Sequence, residues 1–73
     1  MGRLAYKFVD VFRKLQAAGF VLVGQKGSHV KLARTTAEGT RVVIVPRHRE
    51  LATGTLRSIL RDAGLTIDDF EAL

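Results

Sequence analysis

The sequence contains no cysteine, no tryptophan, one proline and only seven acidic residues. The lack of cysteine excludes disulfides, thiolate zinc sites and thiol catalysis. The longest apolar runs cover residues 20–23 and 42–45 and are far too short to cross a lipid bilayer. The charged N-terminal stretch also lacks the apolar core of a signal peptide, so we expect a cytoplasmic protein that does not contact a membrane.

The chain is also short. Its 73 residues leave room for one small domain, which we predict to span residues 1–73. A chain of this length has little room for a cofactor-binding domain, a P-loop domain or a barrel enzyme. We therefore expect no small-molecule cofactor.

Positive charge, in contrast, is abundant and unevenly distributed. Twelve Lys and Arg residues give a formal net charge of +5 at pH 7 and a pI near 10.5. All twelve lie within residues 1–61 together with only three acids, whereas residues 62–73 contain the other four acids. A concentrated basic surface on a small domain favours binding to a polyanion such as nucleic acid. The alternative is a solvated charged surface that only increases solubility.

Helical periodicity of the apolar residues predicts two helices. The first runs from Tyr6 to Ala18, and Gly19 suits a left-handed position after its last turn. The second begins near Thr53–Thr55, with one of the two threonines as its N-cap, and ends at Gly64. A capping-box pattern over Thr66–Asp69 predicts one more short turn near the end of the chain.

The segment between the helices is rich in β-branched residues and predicts three strands. They are Phe20–Gln25, Ser28–Thr35 and Arg41–Val45, followed by a charged connector at Arg47–Ala52. A three-stranded antiparallel sheet with two helices on one face buries the apolar stripes of both helices. We therefore predict an α+β fold of order α-β-β-β-α, the layout of the double-stranded-RNA-binding domain. We expect the phenylalanines at helical and strand spacing to belong to the core and not to a base-stacking surface; they are Phe8, Phe12 and Phe20.

Two histidines, His29 and His48, are the groups that titrate near neutral pH. The strands lack the clustered acids that a two-metal nuclease needs, so we expect no metal site. Cleavage of a nucleic acid without a metal then requires a base that deprotonates a ribose 2′-OH, and this chemistry restricts the substrate to RNA.

His29 is the strongest candidate for that base. It follows Gly27 and Ser28 at the start of the second strand, and strand alternation places it on the face away from the core, beside Lys31 and near Lys26. The glycine would let a phosphate approach the backbone, and the serine hydroxyl would bind it. The alternative is a surface histidine beside a turn.

A second group of basic residues, Arg47, His48 and Arg49, follows the third strand. Such a compact cationic loop suits phosphate binding, although it is equally well explained as a solvated connector. His48 is also a candidate for the acid that protonates the leaving 5′-oxygen. Its distance from His29 depends on the order of the strands, which the sequence does not determine.

Several short motifs in series resemble those of one protein family. They are Gly19-Phe20, Gln25–His29, Pro46–His48, Gly54–Leu60 and Ala63–Leu65. In this order they resemble the HicA toxins, also called YcfA-like proteins, which are the small mRNA interferases of HicAB toxin–antitoxin systems. The resemblance covers almost the whole chain.

This resemblance implies an endoribonuclease that cleaves mRNA and thereby slows translation and growth. It implies that the histidine of the Gly-Ser-His motif, here His29, is catalytic, and that a HicB-type antitoxin covers the active face. Many members have an arginine where this chain has Gly24, so an RNA-binding role for position 24 is in doubt. Together with the residue chemistry, we expect RNA to be bound by Lys26, Ser28, Lys31, Arg47, His48 and Arg49.

The first and third predicted strands are apolar on both faces, whereas the helices cover only one face. We therefore expect an open apolar face that the antitoxin covers. Two alternatives remain open. The protein could be a non-catalytic RNA-binding module of the same fold, or a protein-interaction domain whose charge serves only solubility.

Overall fold

The computed structural model describes residues 5–73, so Arg3, one of the twelve basic residues, lies outside the described residues. In chain order the elements are β1 (Ala5–Lys7), α1 (Phe8–Ala17), β2 (Val21–Lys26), β3 (His29–Thr36), β4 (Gly39–Pro46), β5 (Glu50–Ala52), α2 (Thr53–Ala63) and α3 (Ile67–Glu71). The predicted α+β order is confirmed, with β1, β5 and the terminal α3 around it. None of the helices in this part of the chain has the length and hydropathy that a bilayer-spanning helix requires.

Strands β2, β3 and β4 form an antiparallel sheet in that spatial order. Successive side chains alternate between its two faces, and those that point toward the helices are buried. One hydrophobic core joins this face to α1 and α2, which confirms the prediction that both helices cover the same face. The largest fully buried side chains are Phe20, Phe70, Leu15, Leu32, Leu56, Val11, Val43 and Val45.

The three phenylalanines expected in the core do not behave alike. Phe20 is fully buried, which confirms the expectation for this residue. Phe8 and Phe12 are only partly buried and pack against the edge of the core. Their rings stack on each other, with centroids 5.6 Å apart and ring planes inclined by 24°. For these two residues the expectation is therefore only partly correct.

Periodicity does not predict the second sheet, in which β1 pairs antiparallel with β5. Tyr6 and Lys7, predicted to begin the first helix, lie in β1, and part of the predicted connector forms β5. Tyr6 and Leu51 are paired across the two strands and are both buried. This long-range packing holds the chain extended at Tyr6, so α1 begins only at Phe8.

The second helix begins without a threonine cap. Strand β5 leads directly into α2, so the N-cap is Ala52, which makes no side-chain capping hydrogen bond. The prediction that Thr53 or Thr55 is the N-cap is therefore wrong, because the extended backbone ends at Ala52 and both threonines lie within the first turn. The predicted end is confirmed, since Gly64 has a left-handed φ of 74° immediately after Ala63.

Two arginines that face each other across β3 and β4 cap the C-termini of the two long helices. Arg34 Nη1 donates to the carbonyl of Ala18 at 2.9 Å, and its guanidinium carbon lies 5.4 Å from the centroid of the Phe20 ring. Arg41 Nη1 donates to the carbonyl of Asp62 at 3.5 Å. Cations at these positions complement the helix dipoles. Part of the positive charge therefore stabilises the fold.

The predicted capping box at the start of α3 is confirmed. The Thr66 hydroxyl accepts from the Asp69 N–H and the Asp69 carboxylate accepts from the Thr66 N–H, each at 3.0 Å. Hydrogen bonds from the Thr66 backbone and side chain to the Asp69 carboxylate lower the pKa of Asp69. Lys14 on α1 ties the end of the chain to the domain, since its Nζ donates to the carbonyl oxygens of Phe70 and Leu73 at 3.3 and 3.0 Å.

Candidate active site

The hairpin between β2 and β3 determines the position of His29. Its loop consists of Gly27 and Ser28. Gly27 has a φ of 57°, whereas the φ of Ser28 is not positive. This combination matches a type II′ turn, which favours glycine as the first loop residue. The turn places Lys26 and His29 directly opposite each other. The glycine before Ser28 is therefore explained by the geometry of the hairpin.

His29 lies on the open face of the sheet, as strand alternation predicts. Along β3, the exposed His29 and Lys31 alternate with the buried Val30 and Leu32. Strand pairing aligns two rows of residues across the open face, Lys26, His29 and Pro46 in one row and Gly24, Lys31 and Ile44 in the next. Opposed residues in a row have Cβ atoms about 5 Å apart, so Lys26 is a close neighbour of the imidazole, and Lys31 lies one row further along the same face.

These rows border a shallow groove that is open to solvent. It is lined by Val23, Gly24, Gln25, Lys26, Gly27, Ser28, His29, Lys31 and Ile44. The groove thus brings together four predicted site residues, His29, Lys26, Ser28 and Lys31, all of which are exposed. None of the described residues that line it is acidic. An accessible imidazole with two ammonium groups on the same face can hold a phosphate next to a proton acceptor.

The other predicted phosphate-binding residues, Arg47, His48 and Arg49, form a basic loop that lies on a different surface. These three exposed residues border a second cavity together with Lys7, Phe8 and Val9. The Arg47 N–H donates to the carbonyl of Ser28, which anchors the basic loop to the hairpin. None of the three lines the groove of His29, so the two histidines border different cavities.

The sequence does not reveal every residue of these two surfaces. Lys7 joins the basic loop only because β1 pairs with β5, and no local pattern reveals that pairing. Ile44 lines the groove because β4 is the neighbour of β3, and its only signal is that the third strand is apolar on both faces. Within residues 5–73, no group of three His, Asp or Glu side chains is arranged to hold a metal ion.

The remainder of the open face and its β2 edge are apolar. Val21, Leu22, Val23, Val42 and Ile44 retain between 41% and 59% of their surface exposed. The predicted exposed apolar surface on these two strands is therefore confirmed. An exposed patch of this kind beside a charged groove is typical of a protein-binding surface.

Comparison with family models agrees with the motifs found in the sequence. The model described as HicA toxin of bacterial toxin–antitoxin matches residues 9–65, a range that includes the β2–β3 hairpin, His29 and the basic loop. Comparison with curated proteins finds no match to the chain. Since the family model covers well over half of the 73 residues, the resemblance drawn from the motifs is confirmed, and this chain belongs to the HicA family of toxins of bacterial toxin–antitoxin systems.

Proposed function

We propose that the protein is an endoribonuclease that cleaves mRNA in the cytoplasm without a metal ion, with His29 as the general base. The observation that carries the proposal is the exposed imidazole of His29, paired across the hairpin with Lys26 and on the same face as Lys31. Membership of a toxin family supports an activity that restrains growth, and destruction of mRNA has this effect.

In the proposed reaction, neutral His29 takes the proton from a ribose 2′-OH. The 2′-oxygen then attacks the adjacent phosphorus, and the bond from phosphorus to the 5′-oxygen breaks. The products are a 2′,3′-cyclic phosphate and a 5′-hydroxyl end, so no water is consumed in this step. A positioned general base accelerates such a proton transfer by about 10²- to 10⁴-fold.

The groove supplies positive charge where the reaction develops negative charge. Lys26 and Lys31 flank His29 and would neutralise the non-bridging oxygens of the phosphorane, while the Ser28 hydroxyl donates to the same group. The leaving 5′-oxygen takes its proton from an ammonium group that lines the groove or from water. The basic loop, Arg47–Arg49, would hold phosphates further along the strand.

The proposed substrate is single-stranded mRNA, because in-line attack by the 2′-oxygen needs a flexible backbone. Contacts from Lys and Arg to phosphate carry little sequence information, so we expect a loose base preference.

Analysis of the product ends tests this function. The purified protein should cut a single-stranded RNA to give 2′,3′-cyclic phosphate and 5′-hydroxyl ends, in EDTA as well as in magnesium. A 2′-deoxy substitution at the cut nucleotide should abolish cleavage at that position only. Ends with 3′-hydroxyl and 5′-phosphate groups, or a loss of activity in EDTA that magnesium restores, would contradict the mechanism. RNA binding without any cleavage would instead support a non-catalytic RNA-binding module.

We further propose that a HicB-type antitoxin inhibits the protein by covering the open face. The exposed apolar residues around the groove would lose their contact with water in such a complex, and the same complex would cover His29. One interface would therefore supply both affinity and inhibition.

Two isoleucines of equal exposure provide a matched test of this interface. Ile44 on the open face is 46% exposed and Ile67 on α3 is 47% exposed. In co-expression with the antitoxin, Ile44→Asp should release the toxin from the complex, whereas Ile67→Asp should not. If the antitoxin co-purifies equally with the two variants, it does not bind the open face.

A further inference from the structure

Two half-buried aromatic rings lie on the helix side of the β2–β3 hairpin. Phe8 and Phe12 follow each other on one side of α1 and stack with their centroids 5.6 Å apart. They border a groove with Leu22, Gln25, Val30 and Arg47. Phe8 also borders the cavity of the basic loop, so its ring joins an apolar groove to a cationic surface.

The backbone of Phe8 is held in place at this junction. Its N–H donates to the carbonyl of Arg49 at 3.1 Å, and the preceding residue, Lys7, is paired with Glu50 in the sheet of β1 and β5. A ring on a fixed backbone needs little ordering when a flat partner packs against it. The backbone position of Phe8 is therefore set before any ligand binds.

The chemistry around these rings fits a nucleotide. Aromatic rings stack with nucleobases, a guanidinium binds phosphate or stacks on a base, and a side-chain amide offers both a donor and an acceptor to a base edge. Phe8, Arg47 and Gln25 provide these three groups around one groove. An acidic protein segment would form ion pairs with the cations, but it carries no nucleobase to stack on the rings and hydrogen-bond to the amide.

This groove is adjacent to the groove of His29. Gln25 borders both grooves, and the Arg47 N–H is hydrogen-bonded to the carbonyl of Ser28 in the loop that precedes His29. A single strand that leaves the open face across the end of the hairpin therefore reaches Phe8 next.

On the basis of the proposed function, we infer that an unpaired base near the cleaved linkage stacks on the Phe8–Phe12 pair while Arg47 binds its phosphate. The stacking site would fix the register of the RNA relative to His29. It would also give the protein a preference for a base over an abasic nucleotide at one position.

An abasic scan tests the stacking site without relying on any variant of Phe8. The probe is a set of short fluorescent single-stranded RNAs, each with one abasic nucleotide, and the protein carries His29→Ala so that the RNA stays intact. Loss of the stacked base should weaken binding about tenfold at one position. If no abasic position changes the affinity, the inference is overturned.

The same scan with Phe8→Leu identifies the ring that the base contacts. In this variant the sensitive position should become insensitive, while Phe8→Tyr should keep the sensitivity because it keeps the ring. Ile67→Ala is the control for loss of an exposed apolar side chain, and it should leave the scan unchanged. If the Phe8→Leu protein keeps the same sensitive position as the parent, the inference is overturned.

A charge variant tests the role of Arg47 in parallel. Arg47→Gln should reduce the salt dependence of RNA binding, whereas Arg57→Gln, on the exposed side of α2, should not. If the two variants have the same salt dependence, the assignment of Arg47 as a phosphate-binding residue is overturned.

The proposed function can fail separately from this inference. If the wild-type protein yields cyclic-phosphate ends but the scan with His29→Ala shows no abasic effect, the function is retained and the stacking site is lost. Absence of both cleavage and binding would remove the function and the stacking site with it. Loss of antitoxin binding in Phe8→Leu, with RNA binding unchanged, would assign the surface to a protein partner and overturn the inference.

Discussion

Replacing Gly24 with arginine should strengthen RNA binding by the groove. Gly24 is paired with Lys31 in the row next to that of His29, and a Cβ built on it meets no atom within 4 Å. An arginine at this position therefore has a Cβ that displaces no neighbour. It would extend over the groove, where it could reach a phosphate of bound RNA.

The size of the effect follows from one added phosphate contact. Each such contact in a single strand adds about 0.7 to the slope of log affinity against log salt. An exposed ion pair contributes about 0.2–1 kcal/mol, which corresponds to a gain in affinity of at most about fivefold. Stability should change little, because the gain of about 0.5–1 kcal/mol from removing a strand glycine is offset by repulsion from the opposed Lys31.

Gly24→Gln is the matched control, since it fills the same space without a charge. RNA affinity is measured over a series of salt concentrations for the two variants and the parent, all with His29→Ala, and cleavage rates are measured with His29 intact. The arginine variant alone should show the steeper salt dependence and faster cleavage at low substrate concentration. Identical salt slopes for the arginine and glutamine variants would refute the placement of RNA in this groove.

Three further predictions concern stability and are measured by urea unfolding. Arg34→Met should destabilise the fold by about 2 kcal/mol, because it removes a charged hydrogen bond to a carbonyl at the end of α1 and a cation–π contact; no loss would refute the capping role. Gly64→Ala should cost at least about 1 kcal/mol, because Gly64 has a left-handed φ and a Cβ would meet the Arg41 guanidinium at 2.6 Å; an unchanged midpoint would contradict this. The carboxylate of Asp69 accepts hydrogen bonds from the Thr66 backbone and side chain, and these lower its pKa. Its contribution to the free energy of unfolding is therefore complete above the ordinary pKa of 3.8 and is lost as the pH falls through the lower pKa of the folded state. The stability difference between wild type and Asp69→Asn should therefore shrink below pH 3.8, and a constant difference would argue against the capping box.

The sequence predicts those parts of the fold that have a local period. The apolar stripe of α1 and the alternation along β3 are strong enough to assign both elements, and the alternation also places His29 on the correct face. Strands β1 and β5 have three residues each, too few to show a period. Their pairing depends on contact between Tyr6 and Leu51, which are remote in sequence.

Positive charge is a weaker guide than periodicity, because the sequence does not show what each cation contacts. Arg34 and Arg41 contribute to the high pI as much as Lys26 does, yet they cap helices on the opposite side of the sheet. The basic loop could be recognised from the sequence, but its position beside Phe8 depends on where the chain turns after β4. The division between fold-stabilising and surface cations therefore requires the tertiary structure.

The role of His29 is tested most directly by comparing His29→Ala with His48→Ala in RNA cleavage by purified protein. His29→Ala should lower the cleavage rate by at least about 100-fold with RNA affinity and circular dichroism unchanged, because the proton acceptor is lost from an exposed position. His48→Ala removes another exposed histidine, which does not line the groove, and should retain most of the activity. A His29→Ala protein that is folded and cleaves RNA at the wild-type rate would contradict the assignment of His29 as the general base.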